Sequence, residues 1–264
     1  MGDSEVQRLQ GVNPTINHRC TIVVPCYNEA DRLPSEKFVE FVHEGQEIDF
    51  LFVNDGSTDN TLEVLERLQR VCGPTVSVFD KKVNGGKAEA VRDGMLQVIK
   101  SGRGGFVGFW DADLATPLAA ITQLRQELID DPHLQMVFGS RVRLLGRQVQ
   151  RRAVRHYLGR VFATVVSLML RLPIYDTQCG AKIFRITPEL EQVLSEPFIT
   201  RWVFDVEILA RFIALSRGDT RVLHDSIYEY PLERWEDVAG SKVKPGDFLL
   251  AFLDTFRIRS KYLR

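Results

Sequence analysis

The stretch GFWDADLATPL, residues 108–118, sets Asp111 and Asp113 two residues apart at the end of a bulky apolar run. Charges at the end of a buried strand are costly to desolvate unless something compensates them. On an extended backbone alternate side chains share a face, so both carboxylates point the same way. Hard oxygen ligands in that arrangement suit Mg2+ or Mn2+, with phosphate oxygens and water completing the shell. A basic partner or solvent would also compensate them, and a chain this rich in aspartate contains roughly one such pair by chance. A second candidate lies in VNGGKAEAVRDG. Gly85 and Gly86 permit a tight turn into a helix whose free N–H groups can meet an anion, and Lys87 adds positive charge. The pattern is neither a Walker A loop nor G-x-G-x-x-G, which removes support from kinase and dehydrogenase readings and leaves an ordinary loop as the alternative.

The elements that must carry these residues alternate. TIVVPCYNEA (21–30) and IDFLFVNDGSTDNT (48–61) each read as a buried β-branched strand running into a polar loop. LEVLERLQRV has apolar residues at helical spacing. VSVFDKKVNGGKAEAVRDGMLQVIK supplies another strand, glycine turn and helix; GGFVGFW, PLAAITQLRQELI and LQMVFGSR continue the series. Strands and helices alternating at this spacing predict an α/β chain of βαβ units with a mainly parallel, Rossmann-like sheet flanked by helices. Ligands of such sheets bind beyond the carboxyl ends of the strands. Asn28, Glu29, Asn54, Asp55, Asp111, Asp113 and Arg141 all fall there.

After residue 141 the character changes. Arg141, Arg143, Arg147, Arg151, Arg152, Arg155 and Arg160 precede or enter an apolar stretch, Tyr157 to Leu172, and the C-terminal DFLLAFLDTFRIRSKYLR mixes large apolar residues with cations. Both segments are expected to form basic amphipathic helices, with a core-facing helix bearing a solvated face as the alternative. The formal net charge of -1 gives no general attraction to nucleic acid, and the basic cluster lacks interleaved aromatics. Cys20, Cys26, Cys72 and Cys179 form no C-x-x-C pair, and the histidines show no ligand spacing, so a zinc site or disulfide framework is not expected and a reducing setting fits. No apolar run reaches the length of a membrane span, because Arg171 and Pro173 interrupt the longest. The first sixteen residues are polar, without a signal-peptide apolar region.

Several motifs occur together and in order: VVPCYNEADRL, VNDGSTDNT, NGGKAEAVRDGM, DADLATP, FGSR, DTQCGAKIFR and RWVFDVEIL. The series resembles glycosyltransferase family 2, over about residues 20–243, and within it the members that glycosylate dolichyl phosphate. The resemblance implies a GT-A fold over 20–243, with a polar extension at 1–19 and a basic amphipathic helix at 244–264. It implies that Pro25, Tyr27 and Glu29 embrace a nucleoside, that Asp55 pairs with its base, and that Gly86 and Lys87 lie near the diphosphate. A carboxylate accepts an N–H well, which favours uracil or guanine over adenine. Asp111, Ala112 and Asp113 match the donor-binding stretch, with Asp111 and Asp113 as the ligands of Mg2+ or Mn2+. Arg141 matches an arginine near the acceptor phosphate, joined by Arg152 and Arg155 of the basic cluster, and Lys242 matches a residue of a mobile loop. The loop's usual arginine aligns instead with Glu236, with Arg234 as a candidate substitute.

The candidate catalytic set is Asp113, Arg141 and Asp176. With a hydroxyl acceptor Asp176 would act as a base; with a phosphate acceptor it would orient an arginine. The function implied is inverting transfer of a hexose, glucose first among them, from a nucleotide sugar such as UDP-glucose to a polyprenyl or dolichyl phosphate. The alternatives are a soluble hydroxyl acceptor and a GDP-mannose donor. The enzyme would then meet its acceptor at an anionic membrane surface, peripherally and on the cytoplasmic face.

Overall fold

The computed structural model describes residues 17–150, 153–238 and 245–263. The run CTIVVPC forms β1 (Cys20–Cys26), and its apolar residues alternate between two layers. Val23 faces one helical layer, while Ile22 and Val24 face the other, as a strand covered on both sides requires. β1 pairs in parallel with β2 (Ile48–Asp55) and with β4 (Phe106–Trp110), and β2 pairs in parallel with β3 (Val76–Lys81). Beyond β4 come β7 (Ala181–Arg185), β5 (Met136–Ser140) and β8 (Ile227–Pro231). Among the described residues the central sheet has seven strands, and β7 alone runs against the others. A short parallel pair, β6 (Gln148–Gln150) with β9 (Arg234–Glu236), stands apart from it.

One face of the sheet is covered by α1 (Ser35–His43), α2 (Thr61–Cys72) and α4 (Ala119–Asp130), through Phe38, Leu65, Leu68, Ile121 and Leu124. The other is covered by α3 (Lys87–Ser101), α5 (Ala153–Leu170), α6 (Pro188–Ser195), α7 (Phe204–Leu215) and α9 (Pro245–Tyr262). A short α8 (Thr220–His224) leads into β8. On α3, Gly94 is required by close packing. A Cβ there would lie 2.6 Å from Val23 Cγ1 and 2.9 Å from Val53 Cγ2, so any larger residue pushes the helix off the sheet.

The parallel arrangement fixes where polar residues collect. The carboxyl ends of β1, β2, β4 and β5 lie along one edge, and they release Tyr27, Asp55, Asp111 and Arg141 there. The reversed β7 adds its own preceding loop to that edge. Ala181 pairs with Trp110, so residues 176–180 fall beside Asp111. Both amphipathic segments form helices, as the sequence predicts. α5 and α9 pack through an edge-to-face contact of Phe162 with Phe252 at 5.5 Å. Ile258 and Thr255 of α9 are buried in the core, whereas Leu250, Leu253 and Phe256 are exposed. The expected extension at 1–19 lies outside the described residues up to residue 16.

Candidate active site

A cleft of about 300 Å³ opens at this edge, and Lys87, Asp111, Asp113, Arg141, Asp176 and Asp205 all line it. Asp111 and Asp113 therefore share one cavity, but not through the extended strand end that the sequence predicts: β4 stops at Trp110, and residues 111–114 form a turn in which the Leu114 N–H donates to the Asp111 carbonyl at 3.2 Å. Asp111 sits tightly against the β7 loop: its N–H donates to the Gly180 carbonyl at 3.0 Å. A Cβ on Gly180 would collide with the Asp111 carboxylate, so glycine is the only residue that leaves the carboxylate in place. Asp113 Oδ1 accepts the Ala115 N–H at 3.1 Å. Burial and the neighbouring charge of Asp111 push the Asp113 carboxyl above its ordinary range, against the pull of that N–H, Lys87 and Arg32. The two carboxylates share one cavity and present hard oxygen donors, and a divalent cation fits that chemistry. Among the described residues no group of three His, Cys, Asp or Glu could hold an ion by itself.

Lys87 begins α3, and its ammonium meets Asp111 Oδ1 at 2.5 Å. Burial opposes its charge, but Asp111, Asp205 and Asp113 outweigh that and raise its pKa. Asp205, in the first turn of α7, is buried and paired with Lys182 Nζ at 2.6 Å. Burial raises its pKa despite Lys182 and Lys87. Lys182, buried over the rings of Phe109 and Phe138, also donates to the Cys179 carbonyl at 2.5 Å. Carboxylates and ammonium groups thus alternate from the mouth of the cleft into the core.

Asp176 Oδ2 and Oδ1 accept Arg141 Nε and Nη2 at 2.6 and 2.7 Å, and the Arg141 backbone N–H adds a third bond at 3.1 Å. This bidentate pair holds the guanidinium 5.3 Å from the Trp235 ring centroid. Burial works against the arginine's charge, but Asp176 more than offsets it, so its pKa is raised. The loop is tied down in turn, because Tyr175 and Asp176 donate their N–H groups to Glu229 at 2.7 and 2.8 Å. Burial raises the Glu229 pKa against those two bonds. Arg160, from α5, lies 3.7 Å from the Tyr175 ring centroid and lines the cleft beside Arg141.

The remaining candidates lie along the same edge, outside the cleft lining. Asp55 Oδ1 and Oδ2 accept the N–H groups of Gly85 and Gly86 at 2.9 and 2.7 Å, and Lys81 Nζ lies 3.2 Å away. The anion that meets the glycine turn is therefore the protein's own Asp55 carboxylate. Gly86 has φ +86°, which glycine adopts at little cost. Pro25 is half-buried and Tyr27 exposed at the end of β1. Glu29 donates its N–H to Thr61 Oγ1 at 2.8 Å, and Asn28 clasps Ser57 and Thr58 after β2. Ala112 turns its side chain into the core. Arg152 and Lys242 lie outside the described residues, as does the side chain of Arg155. All four cysteines are buried and free; burial pushes the Cys20 thiol up to about 12 and the Cys179 thiol up to about 11, which leaves both unreactive.

Residues that the sequence did not single out are Lys182, Asp205, Trp235 and Glu229. The motif RWVFDVEIL contains Asp205, but nothing in its spacing distinguishes a buried charge from one on a solvated helix face.

The glycosyl transferase family 2 model matches residues 21–189. The dolichyl-phosphate beta-glucosyltransferase of Dictyostelium discoideum is 31% identical over 275 residues, covering 97% of this chain and 78% of that protein. That of Mus musculus is 33% identical over 259 residues, covering 92% and 75%. Among solved structures, glucosyl-3-phosphoglycerate synthase from Mycobacterium tuberculosis in complex with Mn2+ and UDP-glucose superposes with a TM-score of 0.64 at 18% identity. It covers 92% of this chain and 78% of that one, a likeness that establishes the GT-A fold. With motifs, sheet order and family model in agreement over most of its length, the chain belongs to glycosyltransferase family 2.

Proposed function

We propose that this chain transfers glucose from UDP-glucose to dolichyl phosphate, with inversion at the anomeric carbon. One observation supports this reading above others: a single cleft holds a carboxylate pair with Lys87 and, beside it, two arginines suited to a second phosphate. Relatives at about this similarity act as dolichyl-phosphate beta-glucosyltransferases, and the structural neighbour is in complex with Mn2+ and UDP-glucose.

Asp111 and Asp113 would hold Mg2+ or Mn2+. When bound, the cation neutralises charge developing on the departing diphosphate. Lys87, kept charged by three carboxylates, adds to that neutralisation. Asp55 acts on the donor side by fixing the Gly85–Gly86 turn, and its remaining lone pairs meet the base. The acceptor is a phosphate monoester whose second pKa is about 6, so it is already an anion at neutral pH. One of its oxygens attacks the anomeric carbon as the bond to UDP breaks on the opposite side, and no proton needs to move. Arg141 and Arg160 position that phosphate. Asp176 is then a positioning residue, since both of its oxygens are engaged by Arg141.

The lipid tail would leave the cleft between α5 and α9. Gly159 and Ala163 of α5 and Ala251 of α9 line it there, next to exposed Tyr157, Leu158, Val161, Leu250 and Leu253. No described helix is long and apolar enough to cross a membrane. On this reading the exposed apolar face of α5 and α9 meets the bilayer at its surface. A panel of nucleotide sugars against dolichyl phosphate, 3-phosphoglycerate and simple sugars tests the assignment by the nucleoside diphosphate released. Release that depends on UDP-glucose and dolichyl phosphate together supports it; release driven by a soluble hydroxyl acceptor rejects it.

A further inference from the structure

A second groove lies between the ends of α5, α7 and α9, and shares no lining residue with the active-site cleft. Its volume is about 730 Å³. Three arginines line it, Arg171, Arg217 and Arg259, with no aspartate or glutamate among them. Among the described residues none of the three has a carboxylate partner or a side-chain hydrogen bond, whereas neighbouring Arg257 is paired with Asp254 at 2.9 Å. The rim is apolar: Leu168 is 75% exposed and Phe256 58% exposed.

The backbone shows how two of these arginines reach the groove. α5 and α7 each end in a left-handed turn, with Leu172 donating to Ser167 and Gly218 to Ile213. The left-handed position in such a turn favours glycine. Here it is filled by Arg171 and Arg217, both at φ +54°. Two helices thus accept an unfavourable residue at the same kind of position, and both place a guanidinium at one groove.

We propose that this groove binds the anionic headgroup of a membrane phospholipid, with Leu168 and Phe256 entering the acyl region. Guanidinium groups without partners recognise phosphate oxygens through paired N–H donors. An apolar rim beside them matches a ligand that is anionic at one end and hydrocarbon at the other. The two rim residues extend the exposed face of α5 and α9 that borders the active-site cleft, so a lipid held here would fix the angle at which the cleft meets the bilayer. The inference rests on the membrane-surface reading above but concerns a separate site.

The test is flotation of the full chain with phosphatidylcholine vesicles, with and without phosphatidic acid. The variant Arg171→Gln/Arg217→Gln/Arg259→Gln is compared with Lys37→Gln/Arg67→Gln/Arg70→Gln, which removes equal charge from exposed positions on α1 and α2. Melting curves verify that each variant is folded. The groove variant should lose on the order of 100-fold in partition onto phosphatidic acid vesicles, and the control less than about threefold. Equal losses in the two variants would reduce the effect to net charge and overturn the proposal, as would unchanged partition of the groove variant. Displacement by inorganic phosphate at matched ionic strength would indicate a free-anion site and also overturn it. In detergent with a short polyprenyl phosphate the groove variant should retain wild-type glucosyl transfer; loss of transfer there would place the arginines in the acceptor site. If no form transfers glucose in detergent but the flotation pattern holds, the catalytic reading fails and the groove stands.

Discussion

Replacing Asp176 by asparagine separates a catalytic base from a positioning residue. The side chains of Arg141 and Asp176 are 14% and 7% exposed, and three hydrogen bonds join the two residues. Removing one partner of a buried pair costs about 3–5 kcal/mol, because the other charge is left uncompensated. Asparagine keeps one carbonyl oxygen for Arg141, which places the cost at the lower end, about 3 kcal/mol. For a chain of this size that lowers the melting temperature by about 6–12 °C. If the same energy is lost in placing the acceptor phosphate, kcat/KM for the acceptor falls about 100-fold, since 1.36 kcal/mol is tenfold. The loss should appear chiefly in the acceptor KM, with UDP affinity unchanged by calorimetry and the shape of the pH profile retained. Adding Arg141→Met to Asp176→Asn removes the stranded charge, so stability should recover while activity does not. An Asp176→Asn enzyme with normal acceptor KM, negligible kcat and no acid limb in its pH profile would refute the reasoning and make Asp176 the base.

Asp111→Asn and Asp113→Asn should each cut turnover by at least about 100-fold, the scale for loss of one electrostatic group at developing charge. Stability should move the other way for Asp113. Its folded-state pKa is raised by burial and Asp111, so folding favours the protonated form; stability rises as pH falls through that pKa and is lost above it. The neutral amide of the Asp113→Asn variant escapes the penalty at neutral pH, so its melting temperature in chelator should exceed that of the wild type. Gly180→Ala should match Asp111→Asn in lost turnover, because the added Cβ displaces the Asp111 carboxylate; wild-type turnover would show that Asp111 need not stay where it is. Asp55→Ala frees the Gly85 and Gly86 amides and should weaken UDP binding by about 10–100-fold, equivalent to about 1–3 kcal/mol for a lost buried acceptor. Equal UDP affinity by calorimetry would remove Asp55 from the donor site.

Strands whose apolar runs end in polar loops were legible because both faces are covered, and β1, β2, β4 and β5 fall where the hydrophobic pattern puts them. The reversed β7 was not. AKIFR is five residues long, carries a lysine and has no turn signal of its own; its place between β4 and β5 is set by long-range pairing. α7 was hidden for a similar reason. Asp205, Glu207 and Arg211 are residue types that usually face solvent, yet all three are buried. Glu207 is satisfied by Arg211, by the Ile199 N–H and by the Tyr262 hydroxyl at the end of α9, partners that no local spacing reveals. In the site, spacing brought Asp111 and Asp113 together, but a turn after β4 does so where the sequence predicts an extended strand end. Spacing also put Asp55 at that edge; the resemblance supplied its role and supplied Asp176, and the structure shows what each carboxylate holds: the glycine turn in one case and Arg141 in the other.

The central claim is that the cleft joins a glucosyl group to a lipid phosphate. Mass spectrometry of the lipid extract, after incubation of the purified chain with UDP-glucose, dolichyl phosphate and Mg2+ or Mn2+, tests it most directly. The account predicts dolichyl phosphate heavier by one hexosyl unit, β-linked, formed by the wild type and absent with Asp111→Asn. Glucose recovered only on a soluble hydroxyl compound, or a lipid product that Asp111→Asn forms at the wild-type rate, would contradict it.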